Sequence, residues 1–383
     1  MGDQVEHHRK EFGEDPVLSL SVPQPTVLAG QFSDLIEAKS LICLTDDGLS
    51  LSFSPRSDNV VRIVNSVRQD KKKFSYSNIK YRREDRWANA VKAVMYELGK
   101  AGIKIGGYNI LVRGRGAGAD SWSLTSSLFV GILVAMNELE GLSLSKERML
   151  ELSLAANSFC SNYQARRRDL WILLNAEEGK VYLWSEKKGT GESLPFSVSG
   201  AKIYILSSSL PFQVLTPEED EFRTKAKDVI SHMAERNISL GDIRKMSEKE
   251  ARSIASRLPD VERRCLTHLV LDNECAVKAA EAIVRRDCLA LGRSFFALQR
   301  SVVENAELTS PEMDWIWRRG QEGEGVIGLC SIGLGIAGSF IAIVDDRASN
   351  LYARREEEYE RIFGFRSSVR PFYPLKSPEA VRY

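Results

Sequence analysis

Cysteine and histidine are scarce in this chain of 383 residues, and their spacing argues against some kinds of site. The six cysteines stand at positions 43, 160, 265, 275, 288 and 330, and no two of them form a Cys-x-x-Cys pair. Scattered single thiols indicate a reducing compartment and no structural zinc, so we expect a cytoplasmic protein. Of the four histidines, His7 and His8 lie in an N-terminal segment that we expect to be mobile.

Long apolar runs and an excess of one charge are also absent. The formal net charge is +1 and the mean hydropathy is −0.23, so the composition shows no electrostatic signature of a nucleic-acid or membrane surface. The longest apolar run lies within residues 124–136, is interrupted by polar residues and is too short to span a bilayer. Residues 1–15 are polar and unlike a signal peptide. We therefore expect no nucleic-acid and no membrane partner.

The length and the residue pattern predict a mixed α and β protein of two domains, because chains of this size usually divide their core. Two β-like runs at 40–44 and 50–54 flank Asp46-Asp47-Gly48, which indicates a hairpin. Residues 186–200, rich in Gly, Ser and Lys, are the best candidate for a crossing between domains. Helical patterns occupy residues 87–99, 121–139, 146–159, 221–235, 273–284 and 288–304.

Residues 328–344, GLCSIGLGIAGSFIAIV, join a glycine-rich segment to an apolar run. Gly333, Gly335 and Gly338 have the Gly-x-Gly-x-x-Gly spacing of a dinucleotide site, which requires a strand before the glycines and a helix after them. Residues 340–344 are mostly β-branched or aromatic and predict a strand instead. The context therefore excludes a dinucleotide fold and leaves a glycine turn between two strands. Such a turn allows close approach of a ligand or close packing of a helix.

A second glycine-rich segment, residues 114–121, follows the apolar run 108–112 and precedes a long helical pattern. Backbone amides in such a loop, together with a helix N-terminus, form an anion site. The segment is not a Walker loop, because no Gly-Lys-Ser/Thr ends it. The two glycine-rich segments together favour a phosphate-binding site more than either does alone.

Six segments resemble, in their order and spacing, motifs of the galactokinase branch of the GHMP small-molecule kinases, and together they cover most of the chain. The resemblance implies a two-domain α/β (α+β) GHMP kinase fold with a ligand cleft between the domains. The N-terminal domain, residues 1–195, is expected to be ribosomal-protein-S5-like, and the C-terminal domain, residues 196–383, ferredoxin-like. The six segments are residues 12–34 (sugar motif), 86–92 (Trp-Ala-Asn stretch), 114–121 (phosphate loop), 273–274, 309–314 and 328–344 (C-terminal glycine motif).

The family's sugar motif reads Ala-Pro-Gly-Arg-Val-Asn-Leu-Ile-Gly-Glu-His-Thr-Asp-Tyr. Aligned on Gly30 and Asp34, this chain has Pro25 in place of the arginine, which in the family supports negative charge at the anomeric oxygen. No basic residue lies between Lys10 and Lys39, so no shift of register supplies one. Proline has neither a charge nor a backbone donor.

The remaining sugar ligands are also altered. Gln31 stands at the glutamate, Phe32 at the histidine and Leu35 at the tyrosine, while Phe222 replaces a sugar-contacting tyrosine. Only Asp34 is retained, although the Gln31 amide can still hydrogen-bond a hydroxyl. The sugar-binding residues that the resemblance implies are Gln31, Asp34 and Phe222.

The resemblance also implies a catalytic aspartate. Counting back from Gly179 places it at Asp169, preceded by Arg166, Arg167 and Arg168. In this hypothesis Asp169 is the base, and one of the arginines replaces the missing motif arginine by neutralising the transferred phosphoryl group. Two alternatives remain: a gapless register puts Arg168 at this position, and the segment fits a solvated basic turn in which Asp169 is a local counter-charge.

Nucleotide binding, with Mg-ATP as the expected cofactor, is implied less clearly. Asp120 puts a negative charge where a phosphate is expected, and Ile332 replaces a threonine. Ser121 keeps one hydroxyl for Mg²⁺. Trp87 fits an adenine-stacking role or plain core packing. The implied nucleotide-binding residues are Trp87, Gly114, Gly116, Ala117, Gly118, Ala119, Asp120, Ser121, Gly333, Gly335 and Gly338.

Two functions follow. The chain is either a sugar kinase that phosphorylates galactose or a related sugar at the anomeric hydroxyl, with sugar and ATP as its partners, or a catalytically inactive homologue. An inactive homologue would act as a sugar or nucleotide sensor or as a regulator with a protein partner. Loss of one preorganised charge stabiliser costs about 10² to 10³ in rate, so the altered positions predict weak or absent activity.

Overall fold

The computed structural model describes residues 2–67, 69–114, 122–160, 165–210, 216–323, 325–332, 338–346 and 353–383. The helices are α1 Gly2–Phe12, α2 Ala88–Lys100, α3 Trp122–Leu139, α4 Lys146–Ala156, α5 Arg167–Asn175, α6 Thr216–Glu235, α7 Leu240–Lys245, α8 Glu248–Ala255, α9 Asp260–Val284, α10 Cys288–Ser301, α11 Pro311–Gln321 and α12 Ala353–Phe363. The strands are β1 Leu18–Ala29, β2 Lys39–Arg56, β3 Val60–Asn65, β4 Asp70–Ser75, β5 Gly107–Gly114, β6 Lys180–Ser185, β7 Thr190–Pro195, β8 Ala201–Ser207, β9 Val326–Ser331, β10 Ser339–Asp345, β11 Ser368–Pro371 and β12 Ala380–Arg382. None of the described helices is long and apolar enough to cross a membrane.

The chain divides into two compact units that are not contiguous in sequence. The predicted domain boundary between residues 195 and 196 stays a prediction. The first unit comprises Met1–Pro25, Leu44–Glu178 and Leu375–Tyr383, and the second comprises Thr26–Cys43 and Gly179–Pro374.

The larger sheet has eight strands: six lie in the order β12-β1-β2-β5-β3-β4, with β3 parallel to β5, and β6 pairs with β2 and with β7. The pairs β1/β12, β2/β5 and β3/β4 are antiparallel. Helix α3 packs directly on this sheet: a Cβ added to Gly131 would lie 2.7 Å from Leu51 and 2.8 Å from Val22. Strand β4, at the end of this order, is an edge strand.

The predicted hairpin at Asp46-Asp47-Gly48 is wrong, because β2 runs unbroken through these residues. Gly48 is buried, and a Cβ there would lie 1.8 Å from the Val22 carbonyl oxygen. The glycine therefore marks a place where two strands approach closely, which a sequence pattern does not distinguish from a turn.

The N-terminal residues are also ordered, contrary to expectation. They form α1, and His8 is fully buried with Nδ1 2.8 Å from the Ser52 hydroxyl oxygen and Nε2 3.0 Å from that of Ser54. Burial lowers the pKa of His8 to about 4, against the opposing charges of Glu14 and Asp15. The helix is thus held by a buried, neutral imidazole.

The second unit contains a sheet of order β11-β8-β10-β9 in which every neighbouring pair is antiparallel. Strand β10 is the apolar run that follows the glycine motif, so the predicted strand and the exclusion of a dinucleotide fold are confirmed. Helix α10 lies against β9 through two glycines. A Cβ on Gly328 would come within 2.4 Å of the Gly292 Cα.

Other elements of this unit differ from the predicted bounds. Helix α9 begins at Asp260 rather than at Asn273, because buried polar side chains in its middle interrupt the apolar pattern. After Ser301, α10 continues as the π-helical turn Val302–Ala306. Within the predicted crossing, residues 190–195 form β7, which pairs with β6.

Candidate functional site

The last residues of the sugar motif, from Gly30 onward, form a tight turn in the second unit, directly after β1. Gly30 has φ +83°, and a Cβ there would lie 2.3 Å from the Lys39 carbonyl oxygen, so only glycine is accommodated. The 3₁₀ turn Ser33–Leu35 follows. The glycine on which the motif was aligned therefore has a conformational role.

Helix α9 holds this turn through two buried polar residues. The Asp272 carboxylate accepts hydrogen bonds from the backbone N–H groups of Gly30 (2.8 Å) and Phe32 (2.9 Å). Asn273 accepts from the Lys39 N–H at 3.1 Å. Asp272 is 2% exposed, and an acceptor this deeply buried fixes the backbone of the turn strongly.

The Asp34 carboxylate, the one sugar ligand retained in the motif, is bound by an arginine of α6. Arg223 donates from Nη1 to Oδ2 at 2.7 Å and from Nη2 to Oδ1 at 3.3 Å, a bidentate pair. The Arg223 Nε donates to Glu219 at 2.8 Å. Burial opposes the charge on Arg223, but Asp34 and Glu219 outweigh it and raise the pKa of the guanidinium. Both oxygens of Asp34 thus have a cationic partner within the unit.

Two phenylalanines and a histidine form an aromatic cluster beside this ion pair. The rings of Phe32 and Phe222 are 4.5 Å apart, and His268 lies 5.8 Å from Phe32 and 5.4 Å from Phe222. The guanidinium of Arg223 lies 5.2 Å from the Phe32 ring centre. Burial lowers the pKa of His268, against the opposing charge of Asp272, so the imidazole is neutral near pH 7. The residues that replace the family's histidine and tyrosine pack on each other.

The Gln31 amide faces inward. Neither of its polar atoms has a hydrogen-bond partner among the described residues, and both are buried. Gln31 and Ser331, whose hydroxyl is similarly unpartnered in the described chain, line a cavity of about 20 Å³. A space of this size holds about one water molecule and is too small for a sugar.

In the first unit, Trp87 directly precedes α2. It is half-buried, and its indole Nε1 donates to Asp70 at 2.9 Å, which fixes the edge of the ring. Two other residues of the Trp-Ala-Asn stretch are structural: Asn89 hydrogen-bonds the backbone of Arg82, and Lys92 donates to the carbonyl oxygen of Lys80 and to Asp85. The Trp-Ala-Asn stretch therefore holds the preceding loop, residues 80–85, in place in addition to carrying Trp87.

The candidate base Asp169 lies in the first turn of α5, with Arg167 exposed, Arg166 half-buried and Arg168 only 1% exposed. Arg168 Nε donates to Asp169 at 3.2 Å. The solvated turn of the alternative interpretation is wrong, because Arg167 to Asp169 begin a helix and Arg168 is in the core, whereas its second part, Asp169 as a local counter-charge, is confirmed by this ion pair. Burial of a guanidinium requires such a carboxylate partner.

The structure does not bring all predicted site residues together in one described unit. Asp169 and its arginines belong to the first unit and Gln31, Asp34 and Phe222 to the second, so their convergence on one sugar stays a prediction. Gly114 ends β5, and Gly338 has φ +65°. Gly116, Ala117, Gly118, Ala119, Asp120, Ser121, Gly333 and Gly335 lie outside the described residues.

Sequence reasoning missed Arg223 and Asp272. Asp272 carried a usable signal, because it begins a run of three polar residues, 272–274, that interrupts the apolar segment 269–271. No signal in the sequence distinguished Arg223, because charged residues of both signs occur along α6, as they do on an exposed helix.

The whole chain is similar to known sugar and small-molecule kinases, although no protein-family model matches it. It is 28% identical over 381 residues to a putative galactokinase of Treponema pallidum, covering 98% of this chain and 94% of that protein. The crystal structure of Lactococcus lactis galactokinase complexed with galactose superposes with a TM-score of 0.85 at 19% identity, covering 100% of this chain and 99% of that one. Methanococcus jannaschii mevalonate kinase matches with a TM-score of 0.64 at 11% identity, covering 96% and 99%.

These similarities extend over both units and agree with the order of motifs along the chain. Because these two matches cover 98% and 100% of this chain, they are not matches to one domain alone. The chain is thus similar over nearly its whole length to galactokinases, and its fold is the two-domain fold of galactokinase and the GHMP small-molecule kinases.

Proposed function

We propose that this chain is a galactokinase-like protein in which phosphate transfer to galactose is weak or absent. The observation that carries the proposal is the bidentate ion pair between Asp34 and Arg223. A sugar hydroxyl competing for this carboxylate would have to displace a charged, largely buried donor. The retained aspartate is therefore a poor ligand for a neutral sugar.

The surrounding substitutions support the same conclusion. Phe32 and Phe222, at 2% and 4% exposure, supply no hydrogen bond where the family has a histidine and a tyrosine. Each uncompensated polar group buried by a bound sugar costs about 1 to 3 kcal/mol. Pro25 adds the loss of the motif arginine.

Mg-ATP is the cofactor that the kinase relatives imply, and it would supply the phosphoryl group. Trp87 suits an adenine in this proposal, because its indole edge is fixed by Asp70. Ser121 is the candidate for holding Mg²⁺ and stays a prediction. Whether this chain binds nucleotide is therefore the first quantity to measure.

A second candidate is residual transfer with Asp169 as the base. Its support is the carboxylate kept at the start of α5 beside the buried Arg168. In this case Asp169→Asn abolishes whatever transfer is detectable and leaves ATP affinity nearly unchanged. Equal activity of wild type and Asp169→Asn would leave the alternative, a catalytically inactive homologue that acts as a sugar or nucleotide sensor or as a protein-binding regulator.

The deciding experiment compares wild type with a variant carrying Pro25→Arg, Gln31→Glu, Phe32→His and Phe222→Tyr. In a coupled assay with galactose and Mg-ATP, we expect wild-type turnover far below the ordinary enzyme range of about 1 to 10³ per second. Titration calorimetry with Mg-ATP, galactose and related sugars separates lost binding from lost chemistry. Wild-type turnover within the ordinary range would overturn the proposal, and thermal melting establishes that both proteins are folded.

A further inference from the structure

A loop of the first unit presents a cluster of cations outward. Lys80, Arg82, Arg83 and Arg86 are exposed, and none forms an ion pair with any residue that the structure describes. We name residues 80–86 the basic loop. It is not used in the proposed phosphate transfer.

The basic loop is held in one conformation from beneath. The Asn89 amide donates to the Arg82 carbonyl oxygen at 2.7 Å and accepts from the Arg82 N–H at 3.3 Å. Lys92, 2% exposed, donates to the Lys80 carbonyl oxygen at 3.0 Å. Four cations on a fixed backbone lose less conformational entropy on binding than four on a mobile segment.

The same bracing removes negative charge from the loop surface. Asp85 is 9% exposed and its carboxylate is paired with Lys92 beneath the loop. Glu84 is thus the one acidic side chain that the basic loop exposes. On the neighbouring strands, Arg62 lies directly opposite Lys73, an unfavourable placement of like charges.

The local charge differs from that of the whole chain. Residues 70–86 contain seven Lys or Arg and three Asp or Glu, an excess of four positive charges, whereas the whole chain has an excess of one. Lysines on the edge strand β4 are explained by protection against edge-to-edge pairing. That explanation does not cover the arginines of the basic loop, which lies outside the strand.

We propose that the basic loop docks an acidic, extended segment of a partner protein. Arginine forks bind carboxylates in a bidentate manner, and Tyr81, 38% exposed and 6.2 Å from Phe159, adds an apolar contact. A nucleic acid is a poorer occupant, since its binding typically uses about 6 to 10 phosphate contacts and the rest of this chain is net acidic. The proposal does not rest on the proposed function, because none of residues 80–86 has a role in the proposed phosphate transfer.

The test measures the fluorescence anisotropy of a labelled, glutamate-rich peptide titrated with the full-length protein. We expect binding that weakens as ionic strength rises from about 0.05 to about 0.3 M, because the Debye length shortens. Arg82→Glu with Arg83→Glu should weaken binding by about tenfold or more. The matched control, Arg285→Glu with Arg286→Glu, makes the same charge change at two exposed, adjacent arginines and should leave affinity within about twofold.

Several outcomes would overturn the proposal. They are absence of peptide binding at low salt, equal weakening in both double variants, tighter binding of an oligouridine than of the peptide, and displacement of the peptide by Mg-ATP. The last result would assign the basic loop to nucleotide binding. Circular dichroism and melting of each variant establish that a loss of binding is not a loss of folding, and titration of the same variants with Mg-ATP keeps this test separate from that of the proposed function.

Discussion

The turn at residues 30–35 and the basic loop have their backbones held in the same way, but they differ in whether their charged side chains are paired. The turn contains the end of the sugar motif and the loop leads into the Trp-Ala-Asn stretch, and each has its backbone held by polar side chains of a neighbouring helix: Asp272 and Asn273 for the turn, Asn89 and Lys92 for the loop. In the turn, the charged side chain is paired within its unit. In the loop, the cations face solvent. The groups that hold the backbone are therefore separable from the groups that meet a ligand, and a motif can keep the first while losing the second.

Lys92→Met tests the bracing of the basic loop and should have the largest effect. The substitution leaves Asp85 buried without its cation, and breaking such a pair typically lowers the free energy of unfolding by about 3 to 5 kcal/mol. Chemical denaturation measures it. The double variant Lys92→Met with Asp85→Leu should recover most of the loss, and a double variant as unstable as the single one would show that the ion pair is not the cause.

Asp272→Asn tests the bracing of the turn. The amide keeps one acceptor oxygen and turns an N–H₂ group toward a backbone donor, so we expect a loss of about 1 to 3 kcal/mol in the free energy of unfolding. Glu281→Gln, at an exposed position of the same helix, is the control and should change stability by less than about 0.5 kcal/mol. Equal stability of both variants would mean that the turn is fixed by other contacts.

Acidification compares the two units through His8 of the first and His268 of the second. Burial lowers the pKa of both imidazoles in the folded state, so as pH falls below about 6.5 the unfolded chain takes up protons that the folded chain does not. Stability is therefore complete above that pH and decreases below it. Chemical denaturation at several pH values below about 6.5 measures this loss. We expect the free energy of unfolding to fall less with decreasing pH in His8→Asn and in His268→Asn than in wild type, and least in the double variant. An unchanged decrease in the double variant would assign the effect to carboxylates.

The sequence predicted helices and strands better than it predicted contacts between side chains. The order of motifs implied the fold, and the β-branched run after Gly338 identified β10 correctly, because periodicity and residue type act locally. The predicted hairpin at Gly48 was wrong, because glycine is typical both of a turn and of a strand that packs closely on its neighbour. Arg223 was not predictable, since its partner Asp34 is 189 residues away in the chain and its own helix carries charges throughout.

The contact between Gly292 and Gly328 bears on how this protein can evolve. A Cβ on Gly328 would lie 2.4 Å from the Gly292 Cα, and a Cβ on Gly292 would lie 2.3 Å from the Ile327 carbonyl oxygen, so an alanine at either position forces helix and strand apart, at about 1 to 3 kcal/mol. The two positions therefore share one cause of constraint, the close approach of α10 to β9, and selection that maintains this packing acts against a side chain at either glycine.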